Sequence, residues 1–230
     1  MYAVGDIHGR SDLLDQLHEA IVRDALRHGS KRRVIVYLGD YIDRGADSAG
    51  VVARLVGAGP PGFERRFLLG NHDSFLLDVL DGDATVAETW MWNGGRAALE
   101  SYGLTPAAEA DVRNWPNAFR GDCERAIPSA HIAFFRALRL NHREGDILFV
   151  HAGVRPGVPL ARQTREDRLW IRHEFLESDA DFGALVIHGH TPGPEPVVRA
   201  NRIGVDTGAW KSGQLTAAVL AGDTFSFLQT

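Results

Sequence analysis

Tyr2-Ala3-Val4-Gly5-Asp6-Ile7-His8-Gly9 decides the fold, because a short apolar run ends there at a glycine that is followed by an aspartate and a histidine. The run does not alternate apolar with polar residues, which predicts a strand buried on both faces. Four more runs of this kind each end at residues able to bind a ligand. They are residues 34–38 before Gly39-Asp40, 67–69 before Gly70-Asn71, 147–150 before His151, and 185–187 before His188-Gly189-His190.

The segments between the first three strands have a helical period. The residues that show it are Leu13, Leu14, Leu17, Ile21 and Val22 after Ser11, and Val51, Val52, Leu55 and Val56 after Ser48. Alternating strands and helices predict an α/β fold. Residues 202–205, 215–220 and 225–228 have successive strand patterns, which predicts hairpins and a second, mixed sheet. Residues from about 81 to 129 show no strand pattern, so we expect a helical excursion there, within a single domain of residues 1–230.

Charge and cysteine content exclude several classes of protein. Lys and Arg number 25 against 30 Asp and Glu, a net charge of −5, so we expect no nucleic-acid partner and no membrane-surface partner. A single cysteine, Cys123, excludes an internal disulfide framework and a cysteine-rich zinc module. The apolar runs are too short to span a bilayer, and the first residues do not form a secretory leader, so we expect a cytoplasmic location.

Polar side chains follow five separate strands. In α/β proteins ligands bind at the carboxyl ends of the strands. One histidine after a strand is usually structural, but five such strand ends indicate a common cause. The residues are Asp6 and His8; Asp40 and Asp43; Asn71, His72 and Asp73; His151; and His188 and His190.

We interpret this set as a site for two divalent metal ions. Asp, Asn and His without thiolates favour Mn, Fe or Zn over an all-oxygen Mg or Ca site. Two neighbouring metals need a bridging ligand, which a carboxylate can be, and we predict Asp40 for that position. The roles of two residues stay open. His188 either forms hydrogen bonds to the ligands or is itself a ligand in place of His190. Asp206 either orients a ligand histidine or caps a turn.

Three blocks resemble, in order and spacing, the signature of the phosphoprotein phosphatase family of metallophosphoesterases, and its compact bacterial and bacteriophage lambda phosphatase-like branch in particular. His151 and His190 match the two later metal histidines of that family. The blocks are Gly5-Asp6-Ile7-His8-Gly9, Gly39-Asp40-Tyr41-Ile42-Asp43-Arg44-Gly45 and Gly70-Asn71-His72-Asp73.

The resemblance implies a fold of two mixed β-sheets sandwiched between helices, a four-layer α/β/β/α arrangement. It also implies two metal ions, with Mn expected and Fe or Zn as alternatives. The implied ligands are Asp6, His8 and Asp40 for one metal, and Asp40, Asn71, His151 and His190 for the other.

The roles implied by the resemblance make the protein a phosphatase in which a metal-bridging hydroxide attacks phosphorus in line. His72 would donate a proton to the leaving group, and Asp43 would orient its imidazole. Arg44 and Asn71 would bind the phosphate, with Arg172 as a second arginine.

Phosphoserine and phosphothreonine in proteins or peptides are the expected substrates, with phosphotyrosine as a further candidate. The alternative is a symmetrical bis(5'-nucleosyl)-tetraphosphate hydrolase. Leu69 favours that alternative, because that family also lacks an arginine before Gly-Asn-His, whereas Asp43 counts against it. A non-catalytic scaffold is a third hypothesis, which the presence of all six implied ligands and His72 disfavours.

Overall fold

Two five-stranded mixed sheets lie face to face at the centre of the structure, a computed structural model that describes residues 1–28, 32–83, 85–105, 116–222 and 224–230. The first sheet has the order β10 (Thr224–Gln229), β9 (Thr216–Ala221), β1 (Tyr2–Val4), β2 (Val34–Tyr37) and β3 (Glu64–Phe67). The second has the order β4 (Asn141–Glu144), β5 (Ile147–Val150), β6 (Leu185–His188), β8 (Arg202–Gly204) and β7 (Val197–Val198).

Helices cover the outer faces of both sheets. The N-terminal ones are α1 (Ser11–His28), α2 (Ser48–Val56), α3 (Asn71–Leu80), α4 (Val86–Trp90), a π-helical turn (Met91–Gly95) and α5 (Arg96–Ser101). They are followed by α6 (Pro116–Ala126), α7 (Ser129–Arg136), a 3₁₀ turn (Leu160–Arg162), α8 (Arg165–Trp170), α9 (His173–Leu176) and α10 (Ala209–Ser212).

The layers form because successive side chains of a strand point to opposite faces of its sheet. Ala3 and Val36 of the first sheet pack with Phe149 and Ile187 of the second, and together they form a buried apolar layer between the sheets. The alternate residues of the strands point outward. In the first sheet Val4, Ile35 and Tyr37 pack against Leu14, Leu17 and Ile21 of α1, and in the second Leu148 and Val186 pack against Phe175 of α9. The expected four-layer α/β/β/α fold is confirmed.

Parallel pairing places the loops that follow the strands at one edge of each sheet. β1, β2 and β3 are parallel neighbours, with Tyr2 opposite Ile35 and Val34 opposite Glu64. In the second sheet β5, β6 and β8 are likewise parallel. The carboxyl ends of these strands therefore deliver their loops to neighbouring positions.

Strand β3 lies earlier than its apolar pattern predicts. We predicted residues 67–69 as a doubly buried strand, but β3 spans Glu64–Phe67 and is half-exposed. It is the edge strand of its sheet, where charged residues are tolerated. Arg65 uses this position to donate to the carbonyl oxygens of Leu55 and Gly57 at the end of α2.

The C-terminal strands also differ from the prediction. β9 and β10 form the expected hairpin, but they extend the first sheet through antiparallel pairing of β9 with β1. Of the three strands predicted at residues 202–205, 215–220 and 225–228, only the first, β8, belongs to the second sheet. In the predicted helical excursion at about 81–129, the residues that the structure describes include α4, α5 and α6, and residues 106–115 lie outside them.

Within the described ranges, no helix is both long and apolar enough to cross a membrane.

Candidate metal centre

The first two motif loops are held together by their backbones. Gly45 donates its N–H to the carbonyl oxygen of His8 at 3.1 Å. A Cβ at Gly45 would lie only 2.1 Å from that oxygen, so no larger residue fits there. The glycine thus allows the loop after β2 to lie directly on the loop after β1.

Asp73 fixes the next contact, between the loop after β2 and the start of α3. Its Oδ2 accepts the backbone N–H of Asp40 at 2.8 Å, and its Oδ1 accepts that of Tyr41 at 3.0 Å. In return, the Oδ1 of Asp40 accepts the backbone N–H of His72 at 2.9 Å. The three motifs therefore form one hydrogen-bonded unit around Asp40.

Asp40 presents each of its carboxylate oxygens to a different histidine. Its Oδ2 lies 3.5 Å from Nε2 of His8, and its Oδ1 lies 3.5 Å from Nε2 of His151. Two groups of donor atoms that could hold a metal share this residue: His8, Asp40 and His72, and Asp40, His151 and His190. In each group the donor atoms lie within 4.8 Å of one another.

His151 carries its proton on Nδ1, so its unprotonated Nε2 faces two oxygen atoms that are also acceptors. Its Nδ1 lies 2.9 Å from the carbonyl oxygen of Leu38, which can only accept, so Nδ1 carries the proton. Burial, the largest cause, lowers the pKa of His151 to about 3, so the ring is neutral. Its Nε2 lone pair therefore faces Oδ1 of Asp40 at 3.5 Å and Oδ1 of Asn71 at 2.9 Å.

A cation fits this arrangement, because three acceptors without a shared proton repel one another unless a positive charge lies between them. In the second half of the site, Nδ1 of His8 lies 2.8 Å from the carbonyl oxygen of Ile42, so its unprotonated Nε2 faces Asp40, with Nη1 of Arg44 at 3.2 Å. Burial is also the largest cause that raises the pKa of Asp6 and of Asp40, and nearby carboxylates add to it. The donor set thus fits divalent cations.

Asp6 binds the loop that carries His190. The backbone N–H of His190 lies 3.2 Å and 3.1 Å from the two carboxylate oxygens of Asp6. Nδ1 of His190 lies 2.9 Å from Oδ1 of Asn71. Asp206 lies beside Asp6, and its Oδ1 accepts the N–H of Gly208 at 2.9 Å. Asp206 therefore caps a turn next to a carboxylate.

His72 forms a hydrogen-bonded chain with two further buried residues. Its Nδ1 lies 2.7 Å from Oδ2 of Asp43, and Trp90 Nε1 donates to both oxygens of Asp43 at 3.0 Å. Burial is the largest cause that lowers the pKa of His72, to about 3, followed by the charges of Arg44 and Arg172. The imidazole is therefore neutral, and its hydrogen bond to Asp43 holds the ring in one orientation.

The guanidinium of Arg44 lies between a histidine of the first motif and a histidine of the third. Its Nη1 lies 3.2 Å from Nε2 of His8, and its Nη2 lies 3.0 Å from Nε2 of His72. Arg172, at the start of α9, is exposed, and its positive charge lowers the pKa of His72, His151 and His190. Both predicted phosphate-binding arginines thus lie close enough to act electrostatically on the histidines of the site.

The backbone of the site is strained. All the non-glycine residues at positive φ in the described part of the chain belong to its loops: His8, Asp40, Asp43, Arg44 and His190, with φ between 46° and 73°. Residues other than glycine rarely adopt this conformation, and it clusters at functional sites.

The sequence alone left the role of His188 open and did not identify Trp90. His188 lies outside the two donor groups: its ring packs at the edge of Phe175, with centroids 5.0 Å apart, and its Nδ1 faces its neighbour's carbonyl oxygen. Trp90 was missed as a partner of Asp43. The signal available in the sequence was the pair of glycines that follows it, Gly94 and Gly95. They permit a close approach, since a Cβ at Gly95 would lie 2.7 Å from the indole ring of Trp90.

Comparison with known proteins identifies a family. The model of the calcineurin-like phosphoesterases matches residues 1–216. A symmetrical bis(5'-nucleosyl)-tetraphosphatase of Acidovorax sp. (strain JS42) is 32% identical over 156 residues, which are 68% of this chain and 44% of the relative. The chain therefore spans less than half the length of that relative.

Two further relatives match over most of both chains. The asymmetrical bis(5'-nucleosyl)-tetraphosphatase PrpE of Bacillus subtilis is 24% identical, with 93% of this chain and 87% of the relative covered. Serine/threonine-protein phosphatase 1 of Salmonella typhimurium is 29% identical, with 95% and 90% covered.

Solved structures support the fold alone. A proposed diadenosine tetraphosphatase has a TM-score of 0.64 at 22% identity, covering 99% of this chain and 92% of the other. A cold-active protein tyrosine phosphatase has a TM-score of 0.61 at 19% identity, covering 94% and 72%.

Proposed function

Because the chain belongs to the calcineurin-like phosphoesterase family, whose members are metal-dependent hydrolases, we propose that it hydrolyses bis(5'-nucleosyl)-tetraphosphates at a two-metal centre. The observation that carries the two-metal chemistry is Asp40, which presents one carboxylate oxygen to each of two buried histidines. The relatives of Acidovorax and Bacillus support the substrate class. Leu69, which stands where an arginine precedes the Gly-Asn-His of many phosphoprotein phosphatases, supports it as well.

The residues fit two divalent cations, for which we propose manganese. Asp6, His8 and Asp40 would hold one, and Asp40, Asn71, His151 and His190 the other. When bound, such cations lower the pKa of a water molecule and neutralise charge on the phosphoryl oxygens.

The protein's own side chains complete the reaction. Arg44 and Arg172 bind phosphoryl oxygens, and the planar guanidinium suits paired hydrogen bonds to them. A water oxygen bonds to phosphorus and releases one proton to the solvent while the bond to the leaving phosphate oxygen breaks. His72 gives that oxygen a proton from Nε2, and the incoming negative charge of the substrate favours the protonated imidazole. Asp43 holds the ring from Nδ1.

A phosphoprotein phosphatase is the second candidate. Asp43 supports it, because the Asp43–His72 hydrogen bond of 2.7 Å supplies the oriented proton donor that a serine or threonine alkoxide requires. The Salmonella phosphatase, similar along 95% of this chain, supports it too.

A substrate comparison tests the proposal. The purified chain is loaded in turn with Mn²⁺, Fe²⁺ and Zn²⁺ and given diadenosine tetraphosphate or a phosphoserine peptide, with His72→Ala as the background control. We expect a higher kcat/KM for diadenosine tetraphosphate, fastest with Mn²⁺, and ADP as the product seen by anion exchange. ATP plus AMP would show asymmetrical cleavage. Faster turnover of the phosphopeptide would favour the second candidate and contradict the first.

A further inference from the structure

A large groove opens beside the metal centre. Its volume is about 940 Å³, in the upper part of the range of roughly 300–1,000 Å³ that is typical of ligand sites. Residues of four chain segments line it, among them Arg44, Trp92, Gly94, Pro192, Trp210 and Lys211. The groove therefore continues from the phosphate-binding arginine toward the surface.

Two tryptophans in this groove are unusually exposed. Trp92 is 72% exposed and Trp210 is 40% exposed. Large aromatic side chains are normally well buried, and an exposed apolar group beside a site indicates a binding surface. Both side chains border the same groove, so one ligand can reach both.

Trp92 is fixed relative to the catalytic residues. It lies in the π-helical turn that directly follows Trp90, the partner of Asp43. The carbonyl oxygen of Gly94 in the same turn accepts the backbone N–H of Arg44 at 3.2 Å. Gly94 has a φ of 106°, and a Cβ there would lie 2.9 Å from the backbone nitrogen of Arg44, so the turn packs directly on the arginine.

Trp210 lies against the same arginine. The guanidinium of Arg44 lies 5.4 Å from the centroid of its indole ring. The neighbouring Lys211 adds a positive charge to the groove. The groove therefore combines flat aromatic rings with cations that continue to the metal centre.

We propose that Trp92 and Trp210 bind a nucleobase of the substrate by stacking, with the phosphate chain running over Arg44 into the metal centre. This inference rests on the proposed function. A nucleotide joins a flat ring to an anionic chain, which matches the order of aromatic and cationic groups along the groove. Stacking of a base on an aromatic side chain tolerates any base, because every base has a π-face.

The experiment uses two probes with the same phosphate charge, AMP and ribose 5-phosphate, which differ in the base. Binding to the manganese-loaded protein is measured by calorimetry and by quenching of tryptophan fluorescence. We expect AMP to bind about tenfold more tightly than ribose 5-phosphate, and Trp92→Leu and Trp210→Leu each to remove most of that difference. Phe225→Leu is the matched control, because Phe225 is 46% exposed and does not line the groove.

Two results would overturn the inference: equal affinity of the wild type for the two probes, or an equal loss for both in Trp92→Leu. The outcome is separable from that of the proposed function. If the wild type fails to hydrolyse diadenosine tetraphosphate but binds AMP in a Trp92-dependent manner, the proposed function is wrong and the base site stands. If it hydrolyses that substrate and Trp92→Leu leaves the KM unchanged, the base site alone is wrong.

Discussion

Trp90 donates its indole N–H to both carboxylate oxygens of Asp43, at 3.0 Å each. Both residues are fully buried, so the carboxylate depends on protein donors in place of water. The same carboxylate also lies 2.7 Å from Nδ1 of His72. Trp90 is thus a positioning residue that acts on the proposed proton donor through Asp43.

Trp90→Phe should lower kcat about tenfold while leaving the metal content unchanged, as is typical for the loss of a supporting hydrogen bond. The hydrogen bond from Trp90 lowers the pKa of Asp43, so its loss raises that pKa and weakens the support for protonated His72. The alkaline limb of the kcat profile should therefore move to lower pH. Metal analysis and a pH series measure both effects, with Phe225→Leu, at an exposed aromatic residue outside the groove, as the control. An unshifted profile would assign Trp90 a purely structural role.

His72→Ala should lower turnover by about 10²–10⁴-fold on substrates with a poor leaving group, such as an alkyl phosphate, because the proton donor is lost. The loss should be much smaller on p-nitrophenyl phosphate, whose leaving group departs without a proton. Steady-state rates on the two substrates give the comparison. Equal losses on both would show that His72 does not donate the proton.

Asp40→Asn should reduce the bound metal and bring turnover to the level of the metal-free protein. The amide cannot offer a charged oxygen to each half of the site, and Asp40 belongs to both donor groups. Metal content after gel filtration measures the effect, and Asp12→Asn, at an exposed carboxylate on α1, is the control. A variant that retains two metals would contradict the bridging role of Asp40.

His18 should make stability depend on pH. Burial raises the pKa of Tyr37, so its hydroxyl keeps its proton, and this hydroxyl shares a hydrogen bond of 2.8 Å with Nε2 of His18. Burial, the largest cause, also lowers the pKa of His18 to about 4, below its ordinary value of about 6.5. The unfolded chain therefore binds the extra proton first, and the free energy of unfolding falls as the pH drops from about 6.5 toward 4.

His18→Gln should lose less stability than the wild type between pH 7 and pH 5, because glutamine can also form a hydrogen bond with Tyr37 but does not titrate. Urea unfolding at the two pH values measures the difference. His173→Gln is the control, since the side chain of His173 is 85% exposed. Equal losses in the wild type and His18→Gln would rule out His18 as the group responsible.

Local rules were sufficient to predict the α/β class and the convergence of the strand ends, since buried parallel strands are short apolar runs and their carboxyl ends meet at one edge. The four-layer arrangement was predicted from the resemblance of the motifs to a known family. The structure accordingly brings His8, Asp40, His151 and His190 together. Their roles as ligands, and that of His72 as the proton donor, stay predictions.

Other features depend on long-range packing that local patterns do not encode. The edge position of β3 let Arg65 take the place of an apolar residue, so the apolar run at 67–69 was misleading. The pairing of β9 with β1 joins residues more than two hundred positions apart. Trp90 reaches Asp43 across 47 positions, and only the glycines after it hinted at a close approach.

The five non-glycine residues with left-handed backbone affect which substitutions this chain would accept over evolution. Each such residue costs of the order of 1–3 kcal/mol, which the surrounding fold must offset. Descendants that no longer needed the chemistry would drift toward glycine or asparagine at these positions and would melt at higher temperatures. Heat resistance and turnover are therefore opposing targets here, and an engineer who wants to keep turnover should leave these five positions untouched and seek stability elsewhere in the chain.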